Sequence, residues 1–228
     1  ESDDDILEFD GHVSDHDPDY KGMFIAISNA IYSLSDSTSV IFNVDTDPRE
    51  YLTNDRPSIT ECIGAWNLNN EQADAFITLS IMILRPFLSG NGAKYASAQL
   101  LEMMSKMTSK TNLILHGPGG TGKSRVIGAF LHFTELWKLR NKVLVAATTG
   151  AAAIVIGAQT YHSALKFSKY RKSAKRTSVN IPMMEYFSEL RIIIIDEMSM
   201  LNMRAMYDIS NALQDYCQLN VAFGGVNM

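Results

Sequence analysis

The chain has 228 residues, 46% of them hydrophobic, and carries 25 acidic against 20 basic side chains, a net charge of −5. That length and apolar content suffice for one substantial core and exclude a wholly disordered chain, while two cysteines, Cys62 and Cys217, are too few for a disulfide framework or a metal site, so a reducing intracellular compartment is expected. No stretch is long enough to span a membrane, and the acidic N-terminus lacks the basic-then-apolar order of a secretion signal.

The charge is unevenly placed. Residues Glu1 to Asp19 hold nine acids and no Lys or Arg, so the rest of the chain carries 16 acids against 20 bases, about +4 by that count. This tail reads as disordered, and His12 and His16 within it read as solvated, since nothing supplies a rigid second pair of metal ligands. Residues 1–63 mix short apolar runs with Pro48, Pro57 and polar clusters, which marks an irregular N-terminal segment without an assigned task; residues 64–228 form the main domain. From a cap at Asn70, the residues Ala73, Phe76, Ile77, Ser80, Ile81 and Leu84 recur at helical spacing until Pro86. A second helical stretch is expected over Tyr95 to Met107. Its Met103, Met104 and Met107 read as core filling, as do Met198, Met200, Met203 and Met206.

The first expected strand is Asn112-Leu113-Ile114-Leu115-His116, and a helix is expected over Arg125 to Arg140. Between them Gly117-Pro118-Gly119-Gly120-Thr121-Gly122-Lys123-Ser124 fit G-x-x-x-x-G-K-[ST]. A triphosphate must be wrapped by backbone N–H groups, and Gly117, Gly119, Gly120 and Gly122, with Thr121 among them, let the backbone come close enough and adopt the dihedrals needed. Lys123 reaches the β- and γ-phosphates, and Ser124 offers a hydroxyl to Mg²⁺ at the positive end of a helix. The alternative is a glycine-rich turn with a surface lysine, which the strand and helix flanks disfavour.

A second strand, Lys142 to Ala147, leads into Thr148-Thr149-Gly150-Ala151-Ala152-Ala153, a turn whose hydroxyls and amides can grip a backbone phosphate or simply start a helix. Lys166, Lys169, Arg171, Lys172, Lys175 and Arg176 follow with no acid among them and with Phe167 and Tyr170 interleaved, a pattern that suits a phosphate backbone and base stacking as well as a solvated loop. The run Ile192 to Ile195 reads as a strand buried on both faces, ending in Asp196 and Glu197. Acids at the C-terminal end of a central strand face the ligand crevice of an open α/β sheet, so Asp196 would hold Mg²⁺ and Glu197 would deprotonate water. They could instead cap a helix over Met198 to Tyr216. The alternation of strand and helix implies βαβ units and a parallel sheet.

In order along the chain, Leu68-Asn69-Asn70-Glu71-Gln72, Gly117 to Ser124, Ala147 to Ala153, Gly157-Ala158-Gln159-Thr160-Tyr161-His162-Ser163-Ala164-Leu165, Ile195-Asp196-Glu197-Met198-Ser199-Met200 and Phe223-Gly224-Gly225-Val226 resemble the motifs of PIF-type DNA helicases. That family belongs to the 5′-to-3′ branch of superfamily 1 and includes the helicase part of eukaryotic Helitron transposons. The resemblance covers about Asn67 onward and implies an α/β fold, a RecA-like P-loop NTPase domain with a parallel sheet flanked by helices behind a partly disordered N-terminal segment. It implies that Gln72 reads adenine, that Lys123 and Glu197 are catalytic, that Ser124 and Asp196 hold metal, and that Thr148, Thr149, Gly150, His162 and Ser163 contact DNA. For His162 a core position, and for Gln72 a structural role on the helix, remain as alternatives.

The same resemblance implies ATP and Mg²⁺ as cofactors, single-stranded DNA and DNA junctions as partners, and ATP-driven 5′-to-3′ translocation with duplex unwinding. Repair, recombination or telomere maintenance is the setting it implies; a nuclear location is expected only from a eukaryotic source, and no membrane association is expected for want of a spanning stretch. A Gly-Asp-x-x-Gln-Leu-Pro segment and a second RecA-like domain, expected after Phe223-Gly224-Gly225-Val226, do not occur before Met228. The first RecA-like domain is therefore expected to be incomplete at its C-terminus, and weak or no hydrolysis is expected from this part alone. Two other readings are a P-loop ATPase that remodels or loads other factors without unwinding, and an idle nucleotide- or DNA-binding transposon remnant.

Overall fold

The computed structural model describes residues 25–27, 29–31, 34, 47–88, 112–167 and 181–228; the acidic tail, the helix over Tyr95–Met107 and most of the basic run lie outside the described residues. The chain divides into two compact units, Glu1–Ser109 with Leu115–Lys138, and Lys110–Ile114 with Leu139–Met228.

The described part of the first unit is helical. Helix α1 (Pro48–Tyr51) starts with Pro at its first position behind an Asp47 cap. In front of α2 (Ile59–Ala65), Ser58 accepts the Glu61 N–H at 3.2 Å and donates its own N–H to the Glu61 carboxylate at 2.7 Å, a reciprocal box that satisfies two otherwise orphaned donors. This helix runs through the 63/64 boundary drawn from composition. In α3 (Asn70–Leu84) the cap is Asn69 rather than Asn70, because Asn69 keeps an extended backbone (φ −71°, ψ 172°) while its side chain accepts the Gln72 N–H at 2.9 Å. Pro86 cannot donate to a continuing helix, and the chain tightens into a 3₁₀ turn over Arg85–Leu88. Helix α4 spans Lys123–Leu136 and stops short of the expected Arg140 because Lys138 turns to φ 59°.

Aromatic rings join these helices. Phe76 of α3 meets Phe133 of α4 edge-on at 5.7 Å, Trp137 lies 5.5 Å beyond Phe133, and the Trp137 indole N–H donates to Pro57 O at 3.0 Å. All three rings are essentially inaccessible to solvent, together with Ile59, Ile83, Leu84 and Phe130. Each such burial stabilises the unit by about 1.5–3 kcal/mol.

The second unit is an α/β layer. Strands β1 (Val143–Ala147), β2 (Gln159–Thr160) and β3 (Ile192–Asp196) form a parallel sheet in the order β2-β1-β3. Helices α5 (Gly150–Val155), α6 (Tyr161–Ala164), α7 (Ile181–Glu189) and α8 (Met203–Cys217) accompany it. The core gathers Ile193 and Ala146 from the sheet, Tyr161, Leu165, Phe187 and Leu190 around it, and Ile209 and Leu213 from α8. Phe187 stacks on Tyr216 at 4.7 Å.

Several expectations change here. No strand forms over Asn112–His116: Leu113 N–H donates to Met228 O at 2.8 Å, but among the described residues no ladder follows, and Ile114 is 65% exposed. An apolar run states only that a segment could pair; a strand needs a partner alongside. The isoleucine run is fully buried only at Ile192 and Ile193, and burial fades through Ile194 and Ile195 as the strand nears its open end. Instead of one helix over Met198–Tyr216 there is a 3₁₀ turn, Met198–Met200, and then α8 behind its own Asn202 cap. Met198, Met200 and Met203 are exposed rather than core filling, because the buried stripe of α8 is carried by Ile209 and Leu213 and these methionines precede or face away from it. The Phe223-Gly224-Gly225 turn packs back on α8, and at Gly224 (φ 61°) an added Cβ would lie 2.5 Å from Leu213 O.

Candidate functional site

The glycine-rich loop lies in the first unit. Gly122 caps α4 in the left-handed conformation (φ 81°, ψ 21°), Gly120 also has φ 81°, and Lys123 and Ser124 occupy the first helical turn. Among the described residues none of the N–H groups of residues 119–124 meets a protein acceptor, and Cβ atoms added at Gly119 or Gly120 would meet nothing within 4 Å. A row of free amides at a helix N-terminus, open on one side, fits an anionic ligand. The Lys123 ammonium donates to Gly117 O at 2.7 Å and Pro118 O at 2.8 Å, which holds its charge over the loop. Thr121 Oγ1 donates to Pro118 O at 2.9 Å and closes the turn from within.

Gln72, on the first turn of α3, joins this loop. Its Oε1 accepts the Asn69 N–H at 3.1 Å and its Nε2 donates to Thr121 O at 3.0 Å. One amide hydrogen and one oxygen lone pair remain for a ligand. Next to the loop, Arg125 Nε donates to Trp66 O at 2.7 Å, and the Trp66 indole donates to His132 Nδ1 at 3.3 Å. Burial pushes the His132 imidazole below its ordinary pKa, against the opposing pull of Glu135 and Asp47.

The second unit gathers the remaining candidates along one edge of its sheet. Because β2, β1 and β3 are parallel and paired Ala147 with Thr160 and Ala147 with Asp196, the residues that follow each strand leave from the same side. Thr148 donates its N–H to Asp196 O at 3.3 Å and its hydroxyl to Glu197 O at 3.2 Å. Thr149 caps α5 by accepting the Ala152 N–H at 3.2 Å, leaving Gly150 exposed at the helix start. After β2, Thr160 accepts the Ser163 N–H at 3.3 Å and Ser163 donates its hydroxyl to the Gln159 side chain at 3.1 Å. His162 is exposed, with its ring 3.9 Å from Tyr161 and 6.0 Å from Phe167, so it is no core histidine.

Asp196 and Glu197 end β3 differently. Asp196 is half-buried and accepts the Glu197 N–H at 2.9 Å. Glu197 is exposed, sits at φ 56°, and makes no side-chain cap, so among the described residues its carboxylate is left uncommitted. The reading of this pair as a cap for the long helix fails, since Asn202 performs that task. Ser124 and Asp196 each present a hard oxygen of the kind Mg²⁺ takes alongside phosphate. Among the described residues no group of three or more His, Cys, Asp or Glu side chains is arranged to hold a metal, and no helix is long and apolar enough to cross a membrane. Sequence reasoning missed the contacts of Gln72 with Thr121 and of Thr148 with Glu197, each spanning 49 positions.

Residues 101–227 match the AAA domain family. The ATP-dependent DNA helicase PIF1 of Candida albicans is 29% identical over 153 residues, which cover 64% of this chain and 16% of that protein. The ATP-dependent DNA helicase Pif1 of a Psychrobacter species is 28% identical over 121 residues (51% and 18%), and that of Bdellovibrio bacteriovorus is 26% identical over 136 residues (58% and 30%). The chain thus spans less than a third of the length of these relatives. With the phosphate-type loop and the parallel sheet ending in Asp196 and Glu197, these matches make the chain a member of the AAA domain family, with a nucleotide-binding P-loop domain of the PIF1 helicase type.

Proposed function

We propose that this chain supplies the ATP-binding and DNA-gripping part of a helicase that moves 5′-to-3′ along single-stranded DNA and parts duplexes or junctions ahead of it. The observation that supports this most is the shared edge of the sheet, where Thr148, tied to Glu197 by its hydroxyl, stands beside Gly150, His162 and Ser163. A surface that grips a backbone and a carboxylate that handles a water molecule are thereby built on one rigid element.

In this reading Gly117, Gly119, Gly120, Thr121 and Gly122 offer main-chain amides to the triphosphate, and Lys123 neutralises charge at its β- and γ-groups. Gln72 turns its remaining donor and acceptor to the adenine edge. Ser124 and Asp196 would hold Mg²⁺, which would draw charge from the phosphate oxygens. Glu197 takes the proton of the attacking water. Thr148, Thr149 and Gly150, with His162 and Ser163, hold and release the DNA backbone. Arginines reaching the γ-phosphate from outside the loop would raise the rate by about 10³ to 10⁵. A nuclear role in repair, recombination or telomere maintenance accords with this activity.

The test is ATP hydrolysis by the helicase that contains this chain, measured with and without single-stranded oligonucleotide. Hydrolysis should rise with DNA, Glu197→Gln should lower the rate by about 10² to 10⁴ while keeping nucleotide affinity, and Lys123→Ala should lose both. A rate indifferent to DNA would instead support an ATPase that remodels other factors, and full turnover in either variant would remove the assigned roles.

A further inference from the structure

We propose that Gln72 is a positioning residue for phosphate binding, bracing the Thr121–Gly122 peptide and so aiming the amides of the loop whatever base the ligand carries. This rests on the nucleotide-binding reading of Gly117–Ser124 and assigns Gln72 a task separate from reading the base.

Three observations carry it. Gln72 is fixed at both ends of its amide, through Oε1 to the Asn69 N–H at 3.1 Å and through Nε2 to Thr121 O at 3.0 Å. The capping box anchors it on the first turn of α3, so the brace starts from a rigid element rather than from a loop. Gly122 is shaped to receive it: beyond its φ of 81°, a Cβ added there would collide with Gln72 Nε2. A trans peptide points its carbonyl and the following N–H in opposite directions. Holding Thr121 O toward Gln72 therefore turns the Gly122 N–H the other way, out of the α3 side of the loop, and sets the backbone from which the Lys123 and Ser124 amides continue. Since the bond is to main chain, its effect falls on phosphate affinity and extends to ligands without a base.

The experiment is calorimetric titration of this chain with Mg-ATP and with inorganic tripolyphosphate, for the wild type and for Gln72→Met, Gln72→Glu and Asn69→Ala, each checked by thermal melting. Glu at position 72 can still accept the Asn69 N–H but cannot donate to Thr121 O. Met makes neither bond and adds no charge. Both variants should weaken tripolyphosphate and ATP alike, by about tenfold or more, whereas Asn69→Ala, which loses only the bond from the Gln72 N–H to its side chain and keeps the main-chain N–H that Gln72 Oε1 accepts, should stay within about twofold of wild type. Unchanged tripolyphosphate affinity in Gln72→Met overturns the brace, whether ATP weakens, as a pure base reader requires, or not. An equal loss in Asn69→Ala also overturns it, because the helix start would then be responsible. A wild-type chain that takes up neither ligand overturns the nucleotide-binding reading and the brace together.

Discussion

At Gly122 two demands coincide, a left-handed backbone and room for the Gln72 amide. Ala at this position carries a backbone cost of about 1–2 kcal/mol and a steric conflict besides. Gly122→Ala is therefore expected to lower nucleotide affinity by at least tenfold while the helical core of the first unit still melts cooperatively, as titration and calorimetry of the same sample would show. His132 gives a different kind of prediction. Its Nδ1 accepts the Trp66 indole N–H, which requires the neutral ring, and burial lowers its pKa from the ordinary 6.5. Above that value the ring is neutral folded or unfolded. As pH falls through 6.5 the unfolded chain takes up the proton first, so stability declines until the pH passes below the folded value. Melting midpoints between pH 7.5 and 5 should fall, and His132→Gln should flatten that part of the slope. Local conformation was legible where the chain itself makes the shape, as in the glycine turn and helix start from Gly117 to Ser124. Contacts were hidden where a side chain meets another part of the chain: nothing in the sequence marks Thr121 O as the partner of Gln72, or Glu197 O as the partner of Thr148.

At the scale of elements, capping chemistry decided what could be read. Asn69 with Gln72 and Ser58 with Glu61 satisfy N–H groups a helix leaves open, yet the reading from sequence sets the first cap one residue late, at Asn70, and draws no helix behind Ser58. Strands carry no such mark. The run over Asn112–His116 has three bulky apolar residues at its centre, yet among the described residues only β1 has partners on both sides, and pairing is set by the sheet rather than by the segment. Methionine misled for a related reason: its hydropathy is the same on either face of α8, and only the position of Ile209 and Leu213 shows which face is inside. The α3 and α4 pairing depends on Phe133, which touches Phe76 and Trp137 at once. Phe133→Ala should cost about 3–5 kcal/mol, measured by urea unfolding. The Trp137 emission should report the transition, since that ring loses its neighbour.

Across the whole molecule, composition alone misdirects. A net charge of −5 disguises a basic body, because nine acids lie within the first nineteen residues. The α/β character of the second unit follows from alternating apolar and turn-forming segments; the two-residue β2 and the order β2-β1-β3 do not. The division into two units does not, since a boundary read from composition at 63/64 falls inside α2. In the second unit the three strand ends are flush, Thr160 beside Ala147 beside Asp196. Neighbouring parallel strands stand only about 4.8 Å apart and are locked by their ladders, so the proposed track for DNA and the proposed base for water cannot slide past each other. The sheet is thus an anvil and not a hinge: under the proposed function, any stroke must be delivered by something that moves against this edge, and a stiffer strand pair would cost no motion at all.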